Sequence, residues 1–426
     1  MSFDAAPFRP QRIAIIGGGI SGLSAAYLLA PNHHVTVYEA APRLGGHART
    51  VIAGKNGDQA VDTGFIVFNY ANYPHLTRMF QALDVPVIKS DMSFGISVNG
   101  GQIEYALRNL RSLMAQRRNM LRLGFWRMLR DIHRFNTGAE AVEQGGDMTI
   151  GELMDKMRLG RWFQDYYLMP LCGAIWSTPP AQIRSFPARA IIQFFRNHAL
   201  LSATAQHQWW TVDGGSTQYV TRLEDHLRSQ GVTIHAATPV QSVSRSASQS
   251  IVQSREQGAA TFDHVIFACH ADQALQLLEE PTAQERAALS AVRFQDNLMV
   301  LHRDTAQMPK RKAVWSSWVY NADTSGAETA IGVTYWMNRL QNIPEEDPLF
   351  VTLNPARTIP EHLIYDQTVF RHPVFDAAAL TAQDQIARMQ GQNNTWFAGA
   401  WLRHGFHEDG FASAARINRL MQRQHA

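Results

Sequence analysis

Cysteine is nearly absent: the 426 residues hold two, Cys172 and Cys269. Two distant thiols make neither a disulfide framework nor a thiolate metal cluster, which points to a reducing compartment and no structural metal. Neither has a base or second thiol beside it in sequence, so both read as inert, buried thiols. Lysine is scarce too, found only at 55, 89, 156, 310 and 312, so most of the 39 basic residues are arginine. Arginine favours planar, two-pronged contacts with carboxylate and phosphate. No apolar run approaches the roughly 18 residues of a membrane span, and residues 1–11 lack the apolar core of a signal peptide. A net charge of +3 is too small for a general nucleic-acid binder. A cytoplasmic protein of two or three domains, without nucleic-acid or metal partners, is the expectation.

The stretch that is rich in information is the first strand-turn-helix. Four apolar residues, Ile13-Ala14-Ile15-Ile16, read as a buried strand, and Gly17, Gly19 and Gly22 follow in the spacing G-x-G-x-x-G. A helix over 23–30, a second strand over 35–38 and Glu39 complete the unit. Gly17 permits the tight turn, Gly19 lets backbone approach a pyrophosphate, and Gly22 lets helix and strand pack closely. The helix N-terminus offers amide donors to phosphate, and Glu39 stands where a ribose acceptor is needed. The pattern therefore predicts a dinucleotide site in a Rossmann-like α/β domain.

Further along, strands are expected near 50–53 and 59–62, then a mainly helical region over 74–204. Within it, 107–135 carries Arg108, Arg111, Arg117, Arg118, Arg122, Arg127, Arg130 and Arg134 against one acid, Asp131, interleaved with apolar residues. Two readings stay open there: an amphipathic helix pair with a solvated face, or contact with an anionic membrane or acidic partner. Residues 165–187 form an aromatic, proline-punctuated turn region that includes Pro179 and Pro180. After Gly214-Gly215 a helix is expected over 218–230, then strands at 232–234, 240–243 and 262–268, with 244–260 a polar hairpin connection and 272–291 helical. Strands at 297–302, 313–320, 330–337 and 350–353 read as an antiparallel sheet. It bears Trp315, Trp318, Tyr335 and Trp336, which either line a substrate pocket or fill a core. A terminal strand through Phe397, a turn at Gly399 and a helix over 412–424 close the chain.

In this order these pieces resemble the flavin amine oxidase superfamily. The carriers are the glycine loop with Glu39, the run Glu39-Ala40-Ala41-Pro42-Arg43-Leu44-Gly45-Gly46, Asp62-Thr63-Gly64, Gly214-Gly215 with the strand bearing Val240, and Phe397-Ala398-Gly399 with Asp409-Gly410. The resemblance implies FAD as cofactor. It implies a discontinuous FAD-binding domain of the glutathione-reductase/amine-oxidase type from 1–75, 205–290 and 391–426. An interleaved α+β substrate domain would come from 76–204 and 291–390. By it Gly17, Gly19, Ser21 and Gly22 would hold the pyrophosphate, Glu39 the adenosine ribose, and Arg43 the adenosine end. Gly45, Gly46, Gly64 and Phe65 would approach the flavin, the Val240 backbone the adenine, and Gly399, Asp409, Gly410 and Phe411 the ribityl chain and ring.

Runs such as Asp91-Met92-Ser93-Phe94, Val333-Thr334-Tyr335-Trp336-Met337-Asn338-Arg339-Leu340 and Gly405-Phe406-His407-Glu408-Asp409-Gly410 look like a bacterial subfamily encoded beside cyclopropane-fatty-acyl-phospholipid synthases. Three departures from the wider family stand out. The strand at 294–301 offers Asn297 where amine oxidases place a lysine, His47 stands where the diglycine run usually continues with arginine, and Ala400 replaces an acid.

The likeness implies an FAD-dependent oxidoreductase moving a hydride from a substrate carbon to flavin N5. Three expectations follow: a dehydrogenase or desaturase of a lipid acyl chain, an oxidase of a small amine or polyamine, or a flavin-bound partner of a lipid-modifying methyltransferase. Contact with the inner membrane face would run through 107–135. Trp401, with Phe411, is nominated for an aromatic cage. His407 and Glu408 are the proposed acid/base or flavin-tuning pair, the alternative being a hydrogen-bonded loop that shapes the C-terminal turn.

Overall fold

The computed structural model describes residues 9–143, 148–176, 183–197, 207–246, 248–323 and 330–424. Pro179 and Pro180 lie outside the described residues, as does most of the N-terminal lead-in. A parallel sheet is ordered Thr233–His235, His34–Tyr38, Arg12–Ile16, His264–Phe267, Thr395–Phe397. Its central strands are buried on both faces, as their unbroken apolar runs require. Alternate residues supply two cores: Ile13, Ile15 and Ile266 face one, Ala14, Val265 and Phe267 the other. The first helix, Ile20–Leu29, is apolar nearly all round because it lies between this sheet and the last helix, His407–Gln424.

A second sheet of seven strands is ordered Ile364–Pro373, Phe294–His302, Phe350–Leu353, Ala330–Trp336, Trp318–Asp323, Phe94–Val98, Ile103–Ala106. It is antiparallel except where Trp318–Asp323 runs parallel to Phe94–Val98. A hairpin, Thr50–Ala53 with Gln59–Asp62, and a three-stranded ribbon, Val67–Phe68, Trp209–Val212 and Val87–Ser90, link the two sheets in the chain.

Several expectations change. The region over 74–204 is not mainly helical at its start: Val87–Ser90, Phe94–Val98 and Ile103–Ala106 are strands. Phe94–Val98 pairs with a segment more than 200 residues away. The polar hairpin connection over 244–260 holds the strands Ser250–Ser254 and Gly258–Phe262, which form a meander with Val240–Arg245, with Ser250, Val252 and Ser254 on its buried face. The helix over 272–291 divides into Ala271–Leu277 and Ala283–Ala291. Pro281 breaks it, and the Thr282 hydroxyl caps the new N-terminus by accepting from the Glu285 amide at 3.1 Å. Residues 313–317 are not strand, since a helical turn, Lys312–Val314, precedes Trp318–Asp323. The last helix starts at His407, not 412, so His407, Glu408 and Asp409 form its first turn.

Candidate functional site

The three glycines of the first loop serve three different ends. Gly17 has φ +115°, and a Cβ there would lie 2.7 Å from Ala268 O. A Cβ on Gly22 would lie 1.8 Å from Gly17 O, so the turn closes only on glycine. Gly19 differs. Its φ of −79° and ψ of −175° suit any residue, no side chain caps the helix it starts, and an added Cβ would meet only Gly46 Cα, at 3.9 Å. The fold itself tolerates a side chain there. Bare backbone beside an uncapped helix N-terminus is a cradle for phosphate.

The diglycine turn builds the facing wall. The Gly45 amide donates to Gly18 O at 2.8 Å, and a Cβ on Gly46 would lie 3.1 Å from Gly19 Cα. Arg43 clamps this turn by donating to the carbonyls of Gly46 (2.8 Å), Ala48 (3.2 Å) and Leu44 (3.3 Å). Glu39 accepts from the Gly18 amide at 2.6 Å and the Ala41 amide at 2.7 Å. Its carbonyl accepts from the Thr238 amide at 2.8 Å, which brings the strand bearing Val240 alongside. At the other end of the loop, a Cβ on Gly410 would touch Ser21 Oγ and Ile20 Cγ2, each at 2.8 Å. The N-termini of the first and last helices therefore abut, adding a second positive dipole end. Gly17, Gly19, Ser21, Gly22, Glu39, Arg43, Gly45, Gly46 and Gly410 are thus drawn together around one uncapped helix N-terminus, an arrangement that fits the diphosphate and flanking groups of FAD.

Beyond this groove the wall becomes aromatic. Gly64 packs on the His47 carbonyl, which accepts from the Phe65 amide at 2.9 Å. Phe65 stacks on His407 with centroids 3.9 Å apart, and His407 Nε2 shares a 2.6 Å hydrogen bond with the Tyr219 hydroxyl. Burial pushes His407 down to about 3, so it is neutral at physiological pH. Glu408 points elsewhere: its oxygens accept from the His75 amide at 2.9 Å and the Leu76 amide at 3.0 Å. It thereby satisfies the start of the helix Pro74–Ala82 from outside. Asp409 accepts from the amides of Phe406 (3.0 Å) and His404 (3.2 Å), closing the C-terminal turn. Phe411 stacks on His75.

Burial pushes Glu408 up to about 7, against the two amides that favour its ionised form. A raised carboxyl pKa adds stability that is complete below the unfolded value near 4.5 and lost as pH rises through 7. Thermal unfolding of the parent is thus expected to lose a component between pH 5 and 8 that Glu408→Gln lacks. Identical pH profiles for the two proteins would contradict this.

The sequence did not single out a cluster of imidazoles between the phosphate groove and the second sheet. His47 stacks on Phe370 at 4.9 Å and lies 5.5 Å from His372 and 6.3 Å from His270, ring to ring. Its Nε2 is buried without a partner among the described residues. Burial pushes His47 and His270 down to about 4 and His372 to about 3. Asn297 sits at the strand position in question and donates to His372 Nδ1 at 2.9 Å. Arg49 and Asp366 form a two-pronged ion pair at 2.6 and 3.1 Å beside them. The His47 departure in the diglycine run was the one signal that pointed here.

The five nominated pocket aromatics do not share a wall. Trp318 and Tyr335 are cross-strand partners, 5.1 Å apart, on the face packed against Ile66, Val67 and Trp209. Trp315 and Trp336 pack on the opposite face with Phe350. Trp401 belongs to a core of the parallel sheet and donates to Cys269 O at 3.1 Å. Phe411 lies in the core on the other side of that sheet, so the two form no cage. On the Trp318 face, the Trp318 Nε1 and Tyr365 hydroxyl are buried without a partner among the described residues.

A family model described as flavin containing amine oxidoreductase matches residues 20–300, well over half of the chain. The chain belongs to that family. Its cofactor is therefore FAD, and the α/β fold with a parallel sheet is the one the sequence predicted. Human protoporphyrinogen oxidase is 26% identical over 327 residues, 66% of this chain and 64% of that protein. The chain spans less than two thirds of the length of the curated relatives it matches. The fold superposes on the CLA-producing fatty acid isomerase from P. acnes (TM-score 0.68, 13% identity, 99% of each chain). It also superposes on cyclohexylamine oxidase from Brevibacterium oxydans IH-35A (TM-score 0.68, 14% identity, 97% of this chain and 100% of that one). At these identities the superpositions establish the shared fold.

Proposed function

We propose that this family member is an FAD-dependent dehydrogenase or desaturase acting on a lipid acyl chain. The observation that carries this reading is the chemistry of the face between the hairpin and the second sheet. It is apolar and aromatic, with Ile66, Val67, Trp209, Trp318, Tyr335 and Tyr365 in or against one cluster. The carboxylates at the edges of this face are engaged, Asp366 by Arg49 and Asp91 by Arg339, and so are already paired where an ammonium substrate would seek them. The strand Phe294–His302 has no lysine, and Asn297 is held by His372 and Asn354. The motif likeness to the subfamily encoded beside cyclopropane-fatty-acyl-phospholipid synthases points the same way.

FAD, when bound, supplies the acceptor for a hydride from a substrate carbon. The protein's task is to place that carbon and exclude water. Phe65, His407 and Tyr219 form a rigid aromatic block in this scheme, with His407 a neutral hydrogen-bonding group rather than a proton shuttle. Glu408 is a positioning residue that ties the last helix to Pro74–Ala82.

Anaerobic bleaching of the flavin absorbance tests the reading, with acyl phospholipids, free fatty acids, and aliphatic amines or polyamines as reductants. Bleaching by a lipid and not by amines is expected. Bleaching by an amine alone would overturn the lipid assignment and leave the amine oxidase reading.

A further inference from the structure

Outside the cofactor groove, one surface is unusual in both charge and apolarity. Among the described residues, Leu110 is 76% exposed, Leu121 88%, Leu123 74% and Trp126 47%, all within 17 residues of sequence. Most large apolar side chains of this protein are buried, so such a cluster marks an interaction surface. Local packing holds it out. Asn109 caps a short turn, Leu110–Leu113. The turn Arg117–Leu121 is fixed by buried Asn119, whose side chain donates to Glu104 O at 3.1 Å. Trp126 donates to Met120 O at 2.8 Å, fixing its ring on the outside of the long helix Leu123–Glu143.

Within 107–135 the exposed charged side chains beside them are cations. Arg108, Arg111, Arg117, Arg127 and Arg130 are exposed, while Asp131, the one acid over 107–135, is 1% exposed and accepts from the Gly160 amide at 2.9 Å. The turn Leu110–Leu113 packs on Lys312–Val314 from the second sheet's own segment. Between them lies an open cleft of about 610 Å³ lined by Arg111, Arg117, Arg311 and Lys312, and also by Met114 and Met120. Arg311 is neutralised by buried Glu104 at 2.6 Å. Arg111, Arg117 and Lys312 have no carboxylate within ion-pair distance among the described residues.

We propose that this face docks on an anionic phospholipid bilayer. Leu110, Leu121, Leu123 and Trp126 enter the headgroup–acyl boundary, and the cleft of Arg111, Arg117 and Lys312 takes a lipid phosphate. Charge complementarity selects the occupant: the cations suit an anionic surface, and four protruding apolar side chains gain nothing from a soluble polyanion but enter a bilayer favourably. Docking is read without turnover, so it stands or falls separately from the lipid-oxidation reading.

The test is flotation of the FAD-loaded protein with vesicles of phosphatidylcholine containing about one third phosphatidylglycerol, compared with phosphatidylcholine alone, at low and high salt. Two variants accompany the parent: Arg111→Gln/Arg117→Gln/Lys312→Gln, and Leu110→Gln/Leu121→Gln/Leu123→Gln. All six positions are at the surface, and unchanged flavin content and melting temperature confirm the folds. The parent is expected to float with anionic vesicles only, with the Trp126 region's emission shifted to the blue. The charge variant is expected to lose binding by on the order of 100-fold, and salt to do the same. The leucine variant is expected to lose it as well. A parent that does not float, or a charge variant that binds like the parent, overturns the proposal. A leucine variant that binds fully reduces the contact to electrostatic adsorption without apolar insertion and also overturns it.

Discussion

Replacing Gly19 with alanine is expected to give a folded protein that holds FAD more weakly. The backbone at Gly19 suits alanine, and the new methyl would meet only Gly46 Cα at 3.9 Å. Losing glycine at this N-cap costs about 1 kcal/mol or less, too little to unfold a protein of ordinary stability. The methyl occupies the side of the loop where backbone must approach the diphosphate. Forcing one carbon into such a contact costs about 1–3 kcal/mol, so FAD affinity should fall roughly 10- to 100-fold. The matched control is Gly22→Ala. Its methyl would lie 1.8 Å from Gly17 O, inside the backbone of the turn itself. That variant is expected to lose both fold and flavin. Far-UV circular dichroism, thermal melting and bound flavin absorbance separate the two. A Gly19→Ala protein that purifies as yellow as the parent would show that the diphosphate does not pass this point.

The second large effect is expected at Asp62. It is 0% exposed and gathers donors from three parts of the chain. It accepts from the Thr50 hydroxyl at 2.7 Å, the Ser216 amide at 2.8 Å, the Ser216 hydroxyl at 2.7 Å and Gln341 Nε2 at 3.0 Å. Its own amide donates to Gln341 Oε1 at 2.8 Å, so the two residues grip one another. Thr50 begins the hairpin, Ser216 starts the helix Thr217–Ser229, and Gln341 follows the second sheet's strand Ala330–Trp336. Burial pushes the Asp62 carboxyl up to about 6, so at pH 7.5 it is ionised and every donor is engaged. Asp62→Ala would strand them all in a buried site, at a cost of about 3–5 kcal/mol. Loss on that scale removes a fifth or more of a typical stability margin of about 5–15 kcal/mol. Because Asp62 also sets the path of Gly64 and Phe65, bound flavin should fall with it. Urea unfolding at pH 7.5 measures the effect. A change under about 1 kcal/mol would mean the network relaxes onto water.

The parts of the site that were legible in the sequence are those made by neighbours in the chain. Strand, glycine loop, helix and Glu39 fall within 28 residues, and their contacts follow the spacing. The diglycine turn that faces the loop is likewise reached through six residues, and Arg43 is its own clamp. What was not legible depends on pairings between distant segments. Phe94–Val98 looks like any short apolar run until Trp318–Asp323 pairs with it. Glu408 beside His407 and Asp409 looks like acid/base chemistry, yet its carboxylate caps a helix 333 residues earlier in sequence. Asp62 was read as part of a motif, but its hold on Gln341 depends on how the second sheet docks. One error was avoidable. Tyr335 and Trp336 are consecutive on a strand, so the twofold alternation alone places them on opposite faces. They could never have lined one pocket.

The two sheets divide the work by address. The phosphate groove is built where the parallel sheet's first loop meets the diglycine turn and the start of the last helix. The apolar face lies where the hairpin meets the antiparallel sheet. Phe65, between Gly64 and Ile66, joins them, with His407 stacked on one side and the aromatic face continuing through Ile66 and Val67 on the other.

The claim on which the rest depends is that segments from the start, middle and end of the chain make one FAD site. Acid extraction of flavin from the purified, FAD-saturated protein, quantified against protein concentration, tests it most directly. One FAD per chain in the parent, and a clearly lower value for Gly19→Ala after the same desalting, with its melting transition retained, is the predicted result. Parent protein that carries no flavin after saturation and desalting would contradict it.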